Sequence, residues 1–132
     1  MTTLSDPAVR ALLDAPNHGV LTTLGDDGSP HSTVVWQEPV DGAVGVNSAV
    51  GRLWPTDLQR DPRAVLVVYA PDNPYEYVEI RGRAEVADDA DTQIDRLAKK
   101  FIGADTYPFR QPGEQRIAFR IVPDRVRHQK QG

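Results

Sequence analysis

The fold is indicated most directly by the stretch Tyr75-Glu76-Tyr77-Val78-Glu79-Ile80-Arg81-Gly82-Arg83-Ala84-Glu85-Val86-Ala87, in which apolar and polar residues alternate. A β-strand directs successive side chains to opposite faces. One face therefore carries Val78, Ile80, Ala84 and Val86, and the other carries Tyr77, Glu79, Arg81, Arg83 and Glu85. Gly82 interrupts the apolar face, which predicts a bend or bulge of the kind found where a sheet curls into a barrel.

Shorter β-branched segments on both sides of this run predict further strands. They cover residues 19–24, 31–36, 43–47, 64–70 and 116–122. Turn residues separate them at 25–30, 41–42 and 71–74. Pro123-Asp124 is expected to end the last strand before residues 125–128.

Two helices are predicted outside these strands. The first is capped by Ser5 or Asp6 and carries apolar residues at helical spacing until Pro16-Asn17. The second begins at residues 88–91, presents one apolar stripe through Ile94 and Leu97, and ends at Gly103. Strands joined mainly by hairpins, with flanking helices, predict a mainly β (α+β) fold built as an antiparallel barrel.

The composition restricts the class of protein. A chain of 132 residues fits one domain over residues 1–132. A net charge of -4 argues against a nucleic-acid partner, and zero cysteines exclude thiol catalysis and thiolate metal sites. The sequence has neither a membrane-spanning apolar run nor the pattern of a signal peptide, so a cytoplasmic protein is expected.

The segment from Asn47 to Arg63 is the strongest candidate for a binding site. Small residues such as Ser48 and Gly51 permit close backbone approach to a ligand, and a short helical turn follows Arg52. Amide groups at a helix start together with an arginine suit a phosphate. Trp54 is compatible with a core position or with the wall of a flat ring system.

Other candidate sites have plainer interpretations. The three histidines lie in unrelated segments and no Gly-x-Ser-x-Gly motif occurs, which disfavours a hydrolytic triad. His31 is interpreted as a polar residue at a strand edge rather than a metal ligand, and no metal site is expected. The acidic residues 88–91 fit a helix N-terminus. The arginines of the last strand fit either a solvated face or a basic strip: Arg116, Arg120, Arg125 and Arg127.

The order and spacing of several motifs resemble the pyridoxamine 5′-phosphate oxidase-like split β-barrel superfamily, in particular its actinobacterial, F420-dependent (deazaflavin) oxidoreductases. The resemblance covers nearly the whole chain. It is carried by residues 19–24 with Asp27-Gly28-x-Pro30-His31, by residues 52–58 with Arg60-Asp61-Pro62-Arg63, and by residues 79–84, 107–109 and 122–126.

The resemblance implies an FMN-binding type of split barrel that forms a homodimer with cofactor sites at the subunit interface. The phosphate is expected beside Asn47–Trp54, the ring along the second and third strands, and closure by the partner subunit near Tyr69 and Tyr75–Val78. The implied cofactor-binding residues are Ser32, Thr33, Val34, Val35, Asn47, Ser48, Ala49, Gly51, Arg52, Trp54, Tyr69, Tyr75 and Tyr77.

The chain departs from the family pattern in one place. The family often reads Arg-x-Lys-x-x-Asn-Leu where this chain has Trp54 in place of the lysine and Asp57 in place of the asparagine. Either Arg52 holds the phosphate alone, or Trp54 stacks on part of the cofactor.

The function implied by the resemblance is hydride transfer from reduced coenzyme F420 to an unsaturated small-molecule substrate. The alternatives are an FMN-dependent oxidoreductase and a cofactor-binding protein without turnover. The proton is expected from solvent, Tyr75 or Tyr77, so no catalytic residue is assigned.

Overall fold

The computed structural model describes residues 1–130. Within them lie the helices α1 (Pro7–Asp14), α2 (Leu53–Arg60) and α3 (Ala90–Ile102). The strands are β1 (Gly19–Leu24), β2 (Pro30–Val35), β3 (Glu38–Val40), β4 (Ala43–Ala49), β5 (Arg63–Ala70), β6 (Asn73–Ala87) and β7 (Arg116–Lys130).

The strands form one antiparallel sheet in the order β2-β1-β5-β6-β7-β4-β3. Hairpins connect β1 to β2, β3 to β4, and β5 to β6, as the turn residues predict. The sheet curls into a mainly β split barrel with helices outside it, which confirms the predicted fold class. Within the described residues, β2 and β3 are the two edges of the sheet.

The longest strand contains the irregularity that Gly82 predicts. The register between β6 and β7 shifts between Arg81 and Gly82, because Arg81 pairs with Arg125 whereas Gly82 pairs with Pro123. Asp124 is thus the extra residue of a bulge. A Cβ atom at Gly82 would lie 2.0 Å from the carbonyl oxygen of Val122, so only glycine fits this close approach of two backbones.

The prediction that Pro123-Asp124 ends the last strand is wrong. β7 continues from Arg116 to Lys130, and residues 125–130 pair with β6 beyond the bulge. Pro123 cannot donate a backbone hydrogen bond, but the bulge places it where the regular ladder is already interrupted.

The structure differs from the prediction in two short elements, α2 and β3. The expected helical turn after Arg52 is an eight-residue helix, α2. The three-residue strand β3 was not predicted, because Pro39 and the short length give no strand pattern. Pro39 is tolerated since β3 lies at the edge of the sheet.

The core lies between the inner face of the sheet and helices α1 and α2. Leu13 of α1, Leu58 of α2 and Phe119 of β7 are buried there with apolar residues from alternate strand positions. Val78 and Ile80 lie in this core as predicted, but Val86 is exposed and borders a groove with Val50 and Ile117. The apolar face of β6 therefore lies outside the core at the C-terminal end of the strand.

Helix α3 is tied to the sheet by charge as well as by its apolar stripe. Ile94, Leu97 and Ala98 are buried. At the start of the helix, both carboxylate oxygens of Asp89 accept hydrogen bonds from Arg120 of β7, at 2.9 and 2.8 Å. Asp89 thus fixes the position of the helix, which agrees with a structural interpretation of the acidic residues 88–91.

Candidate functional site

An open cleft of about 440 Å³ lies between β2 and β4. One side is formed by the end of β2, the other by β4 and the start of α2, and the floor by α3 and β7. Its lining residues are Thr33, Val34, Val35, Trp36, Asn47, Ser48, Arg52, Leu53, Trp54, Ile94, Leu97, Tyr107, Phe109 and Arg116.

The β2 side of the cleft offers backbone groups. β2 pairs with β1 on one side only, and in residues 1–130 no strand pairs with its other side. The backbone N–H and C=O groups on that open edge near Thr33 and Val35 are therefore available to a ligand. Val34 points outward and its side chain is largely exposed.

Arg52 stands where β4 passes into α2. Gly51, with a φ of 95°, forms a turn closed by the hydrogen bond from Arg52 N to the oxygen of Ala49, and α2 begins at Leu53. The first amides of a helix have no partner within it and suit an anion. The side chain of Arg52 is 54% exposed and its Nη2 lies 3.6 Å from Glu114 Oε2, so this cation is free to turn toward a ligand.

Arg116 of β7 is a second cation in the cleft, and it is held rigidly. Its Nε donates to Asn47 Oδ1 at 3.0 Å and its Nη1 donates to Glu114 Oε1 at 2.8 Å. The guanidinium group also lies 4.9 Å from the ring centre of Tyr107. Since its side chain is only 4% exposed, the interpretation of this arginine as part of a solvated strand face is wrong.

Glu114 links the two arginines. Its side chain is 6% exposed and contacts Arg116 directly and Arg52 at longer range. The hydrogen bond from Arg116 holds the pKa of Glu114 below its usual value, with further help from the charges of both arginines. Glu114 is therefore a carboxylate beside the cleft at neutral pH.

Aromatic rings form one wall of the cleft. Trp36 stacks on Phe101 with 5.4 Å between ring centres and 6° between planes. Tyr107 meets Trp36 edge-on at 6.1 Å, and Phe109 meets Tyr107 at 5.7 Å. Lys100, next to Phe101, donates to the backbone oxygen of Gln37 at 2.7 Å and so fixes the helix against the segment that carries Trp36.

Both positions that depart from the family pattern face inward. Trp54 is 6% exposed, lies 5.9 Å from the ring of Phe119, and also borders the cleft. It is thus a core residue and a cleft residue at once. Asp57 does not line the cleft, because its buried carboxylate accepts hydrogen bonds from Thr23 and His31 of the first hairpin and from Arg60.

The structure brings seven of the thirteen predicted cofactor-binding residues to the cleft: Thr33, Val34, Val35, Asn47, Ser48, Arg52 and Trp54. Ser32 bonds to Thr22 on the outer face of the sheet, and Ala49 and Gly51 shape the turn behind Arg52. Tyr69 and Tyr77 lie together at a different groove with Arg127, and Tyr75 is exposed. The role of these three tyrosines in closing a partner's site stays a prediction.

Three functional candidates were missed by sequence reasoning, Trp36, Tyr107 and Phe109, and Arg116 was left open between a solvated face and a basic strip. Tyr107 and Phe109 belong to a segment without regular structure between α3 and β7, which no periodicity describes. Arg116 follows Gly113-Glu114-Gln115 at the start of a strand and has no signal that separates it from other arginines. Glu114, two positions before Arg116, is a possible ion-pair partner and was the only local signal.

His31 forms a contact between the first hairpin and α2. His31 Nδ1 donates to Asp57 Oδ2 at 2.7 Å, so it joins two elements. Across residues 1–130, no three His, Cys, Asp or Glu side chains come close enough together to bind a metal ion. In the same part of the chain, none of the helices has the length and apolar character needed to cross a bilayer.

Comparisons with known proteins show the family and the fold of this chain. The sequence profile of the family described as pyridoxamine 5′-phosphate oxidase matches residues 5–130. A solved structure called an F420 reductase superposes with a TM-score of 0.75 at 26% identity, covering 89% of this chain and 94% of that chain. No curated protein matches the sequence.

Two further structures are similar in fold alone. A conserved hypothetical protein from Mycobacterium tuberculosis has a TM-score of 0.75 at 23% identity, covering 97% of this chain and 86% of that chain. A heme binding protein from Mycobacterium smegmatis has a TM-score of 0.66 at 22% identity, covering 92% of this chain and 52% of that chain.

Proposed function

The chain belongs to the pyridoxamine 5′-phosphate oxidase family, and from this premise we propose that it is a deazaflavin-dependent oxidoreductase. The reaction is hydride transfer from reduced coenzyme F420 to an unsaturated small-molecule substrate. The observation that carries the proposal is the composition of one cleft, which combines an open strand edge, aromatic walls and an exposed cation at a helix start. A flat ring that carries a phosphate needs these three features.

The residues present fit such a cofactor. Arg52 and the first amides of α2 would bind the phosphate, with Ser48 beside them. The free backbone edge of β2 from Thr33 to Val35 would hydrogen-bond the polar edge of the ring. Trp36 and Tyr107 would exclude water from one end of the cleft. The similarity to a protein called an F420 reductase supports the choice of a deazaflavin over FMN.

We also propose that the protein acts as a homodimer with the cofactor sites at the interface. Val34, Val20 and Val67 lie side by side across β2, β1 and β5 on the outer face of the sheet. Val34 belongs both to this apolar row and to the cleft, so a second subunit covering the row would also close the cleft. Tyr69 and Tyr77, paired at the end of the same face, extend the row.

Reduction of the substrate requires a proton as well as the hydride. In this arrangement the proton comes from solvent or from a tyrosine of the second subunit. Tyr75 and Tyr77 lie away from the cleft of their own chain. Tyr75→Phe and Tyr77→Phe variants distinguish the two sources. Loss of turnover with unchanged cofactor affinity would assign the proton to that tyrosine, whereas full activity of both would assign it to solvent.

Titration of the purified protein with F420 and with FMN, followed by fluorescence, tests the proposal. We expect F420 to bind below about 100 μM, the upper part of the usual range for enzyme ligands. Arg52→Gln should weaken binding by about tenfold or more, the effect of losing a charged hydrogen bond. Arg10→Gln, an exposed arginine of α1 paired with Asp14, is the control.

Turnover is then measured with reduced F420 and a panel of quinones and enones. Oxidation of reduced F420 by a member of the panel supports the enzyme. Binding without any oxidation would favour a cofactor-binding protein instead, and tight binding of FMN alone would favour the FMN-dependent alternative.

A further inference from the structure

The charge at the phosphate end of the cleft is lower than the two arginines suggest. Arg52 and Arg116 contribute two positive charges, and the carboxylate of Glu114 lies against both of them. The sum over these three groups is one positive charge. Trp54 stands where the family pattern has lysine, so it adds no further cation.

The two arginines are not equally available. Arg116 donates to Asn47 through Nε and to Glu114 through Nη1, and its side chain is buried. Arg52 is half exposed and meets Glu114 only at 3.6 Å, without a hydrogen bond. An incoming phosphate therefore meets the exposed guanidinium group of Arg52 and, close behind it, the buried carboxylate of Glu114, which is hydrogen-bonded to Arg116.

We infer that Glu114 is a specificity-determining residue, which makes this cleft select a flavin-type cofactor whose phosphate carries one negative charge over one whose phosphate carries two. The inference rests on the proposed function, since it concerns the phosphate end of the same site. A phosphate diester has a single charge, as in F420, whereas the terminal monoester of FMN carries between 1.5 and 2 charges at neutral pH. The second charge of a monoester would be opposed by the charge of Glu114, which already offsets one of the two positive charges.

The surroundings of Glu114 do not change this balance. The titratable groups on the cleft side are Arg52, Arg116 and Tyr107. On its other side lies a groove that contains Asp88, Asp89 and Asp91 at the start of α3, all acidic. Asp89 is paired with Arg96 and Arg120. No histidine lines the cleft within the described residues.

A comparison of two flavins that share one ring isolates the phosphate charge. The probes are FMN and FMN whose phosphate carries one methyl ester, titrated by flavin fluorescence at pH 8 and at pH 5.5. At pH 8 we expect the methyl ester to bind about tenfold more tightly than FMN. At pH 5.5 the difference should shrink, because the FMN phosphate, with a second pKa of about 6, then takes up one proton and loses its second negative charge.

Glu114→Gln tests the residue itself, because glutamine keeps an acceptor for Arg116 and removes the charge. FMN should gain affinity until it equals the methyl ester, and Glu85→Gln, an exposed glutamate of β6, should leave the ratio unchanged. Circular dichroism shows whether each variant is folded. Should Glu114→Gln unfold, the wild-type comparison at the two pH values decides by itself.

The outcomes separate the two proposals. Equal binding of FMN and its methyl ester by the wild-type protein overturns the inference, and so does failure of the methyl ester to bind. Neither result affects F420 binding and turnover, which are measured separately. Selective binding of the methyl ester without any binding of F420 would support the inference and overturn F420 as the cofactor.

Discussion

His31 of β2 and Asp57 of α2 form a hydrogen-bonded pair, with 2.7 Å between Nδ1 and Oδ2, that joins the first hairpin to the helix beside the cleft. Asp57 also accepts hydrogen bonds from Thr23 at 2.8 Å and from Arg60 at 3.0 Å. Its side chain is 2% exposed, so the carboxylate is the buried centre of this contact. The pair fixes α2, and with it Arg52 at the helix start.

Replacement of Asp57 should destabilise the fold. Asp57→Ala leaves three donors without their buried acceptor and is expected to cost about 3 to 5 kcal/mol of unfolding free energy. Asp57→Asn keeps one acceptor and should cost about 1.5 to 3 kcal/mol, the range for hydrogen bonds to a charged group. Urea unfolding measures both, with Asp26→Asn in the exposed turn of the same hairpin as the control. A stable Asp57→Ala variant would contradict this role.

The same carboxylate should make the protein sensitive to acid. Burial alone would raise the pKa of Asp57, but hydrogen bonds from His31, Thr23 and Arg60 outweigh it and hold the pKa below its usual value of 3.8. The unfolded chain therefore binds the proton at higher pH than the folded protein does. The stabilisation is complete well above pH 3.8 and is lost as the pH falls through the folded pKa.

Unfolding free energies of the wild-type protein and Asp57→Asn across pH 3 to 7 check this dependence. The difference between the two proteins should be constant from pH 5 to 7 and should decrease below about pH 4. A difference that grows on acidification has the wrong sign for a lowered pKa and would contradict the assignment.

Most of the fold follows from local patterns in the sequence. The alternation in β6 specifies a strand, and the turn at Asp41-Gly42 specifies a hairpin. Each signal lies within a few consecutive residues. The continuation of β7 beyond Pro123 could not be predicted in this way. It depends on Gly82, which is 41 positions away in the sequence and opens the space for a bulge.

The residues of the candidate site also fall into those that the sequence predicts and those whose roles depend on contacts distant in sequence. Ser48 and Arg52 are predicted from the local signature of a strand end and a helix start, and Thr33 is implied by the family resemblance. The structure gathers all three in one cleft. Arg116 and Glu114 acquire their significance only when β7 pairs with β4 and brings Asn47 within 3.0 Å. Their roles depend on contacts distant in sequence, which no local pattern contains.

Gly82→Ala should show that the bulge requires glycine. The added Cβ would lie 2.0 Å from the oxygen and 2.8 Å from the carbonyl carbon of Val122, and backbone atoms cannot rotate away as a side chain can. We expect a loss of about 2 kcal/mol or more in unfolding free energy. Arg83→Ala, at the exposed neighbouring position, is the control for loss of packing in β6. Equal stability of the two variants would mean that β6 and β7 separate at this point without cost.

Trp54→Lys restores the residue that the family often has at this position, and we expect it to have two opposite effects. Trp54 is 6% exposed and packs near Phe119, so burying an amine there should reduce the unfolding free energy by about 3 kcal/mol or more. The new ammonium would also add a positive charge beside Arg52. If the charge balance around Glu114 governs selection, FMN should gain affinity relative to its methyl ester in this variant.

Trp54→Phe separates the two effects. It should be less destabilising than lysine, since an aromatic ring still fills the space next to Phe119, and it should leave the preference between the two flavins unchanged. Unfolding in urea and flavin titrations at pH 8 measure both variants. If phenylalanine and lysine shift the flavin preference equally, the shape of the cleft rather than its charge determines the selection, and Glu114 loses the role assigned to it.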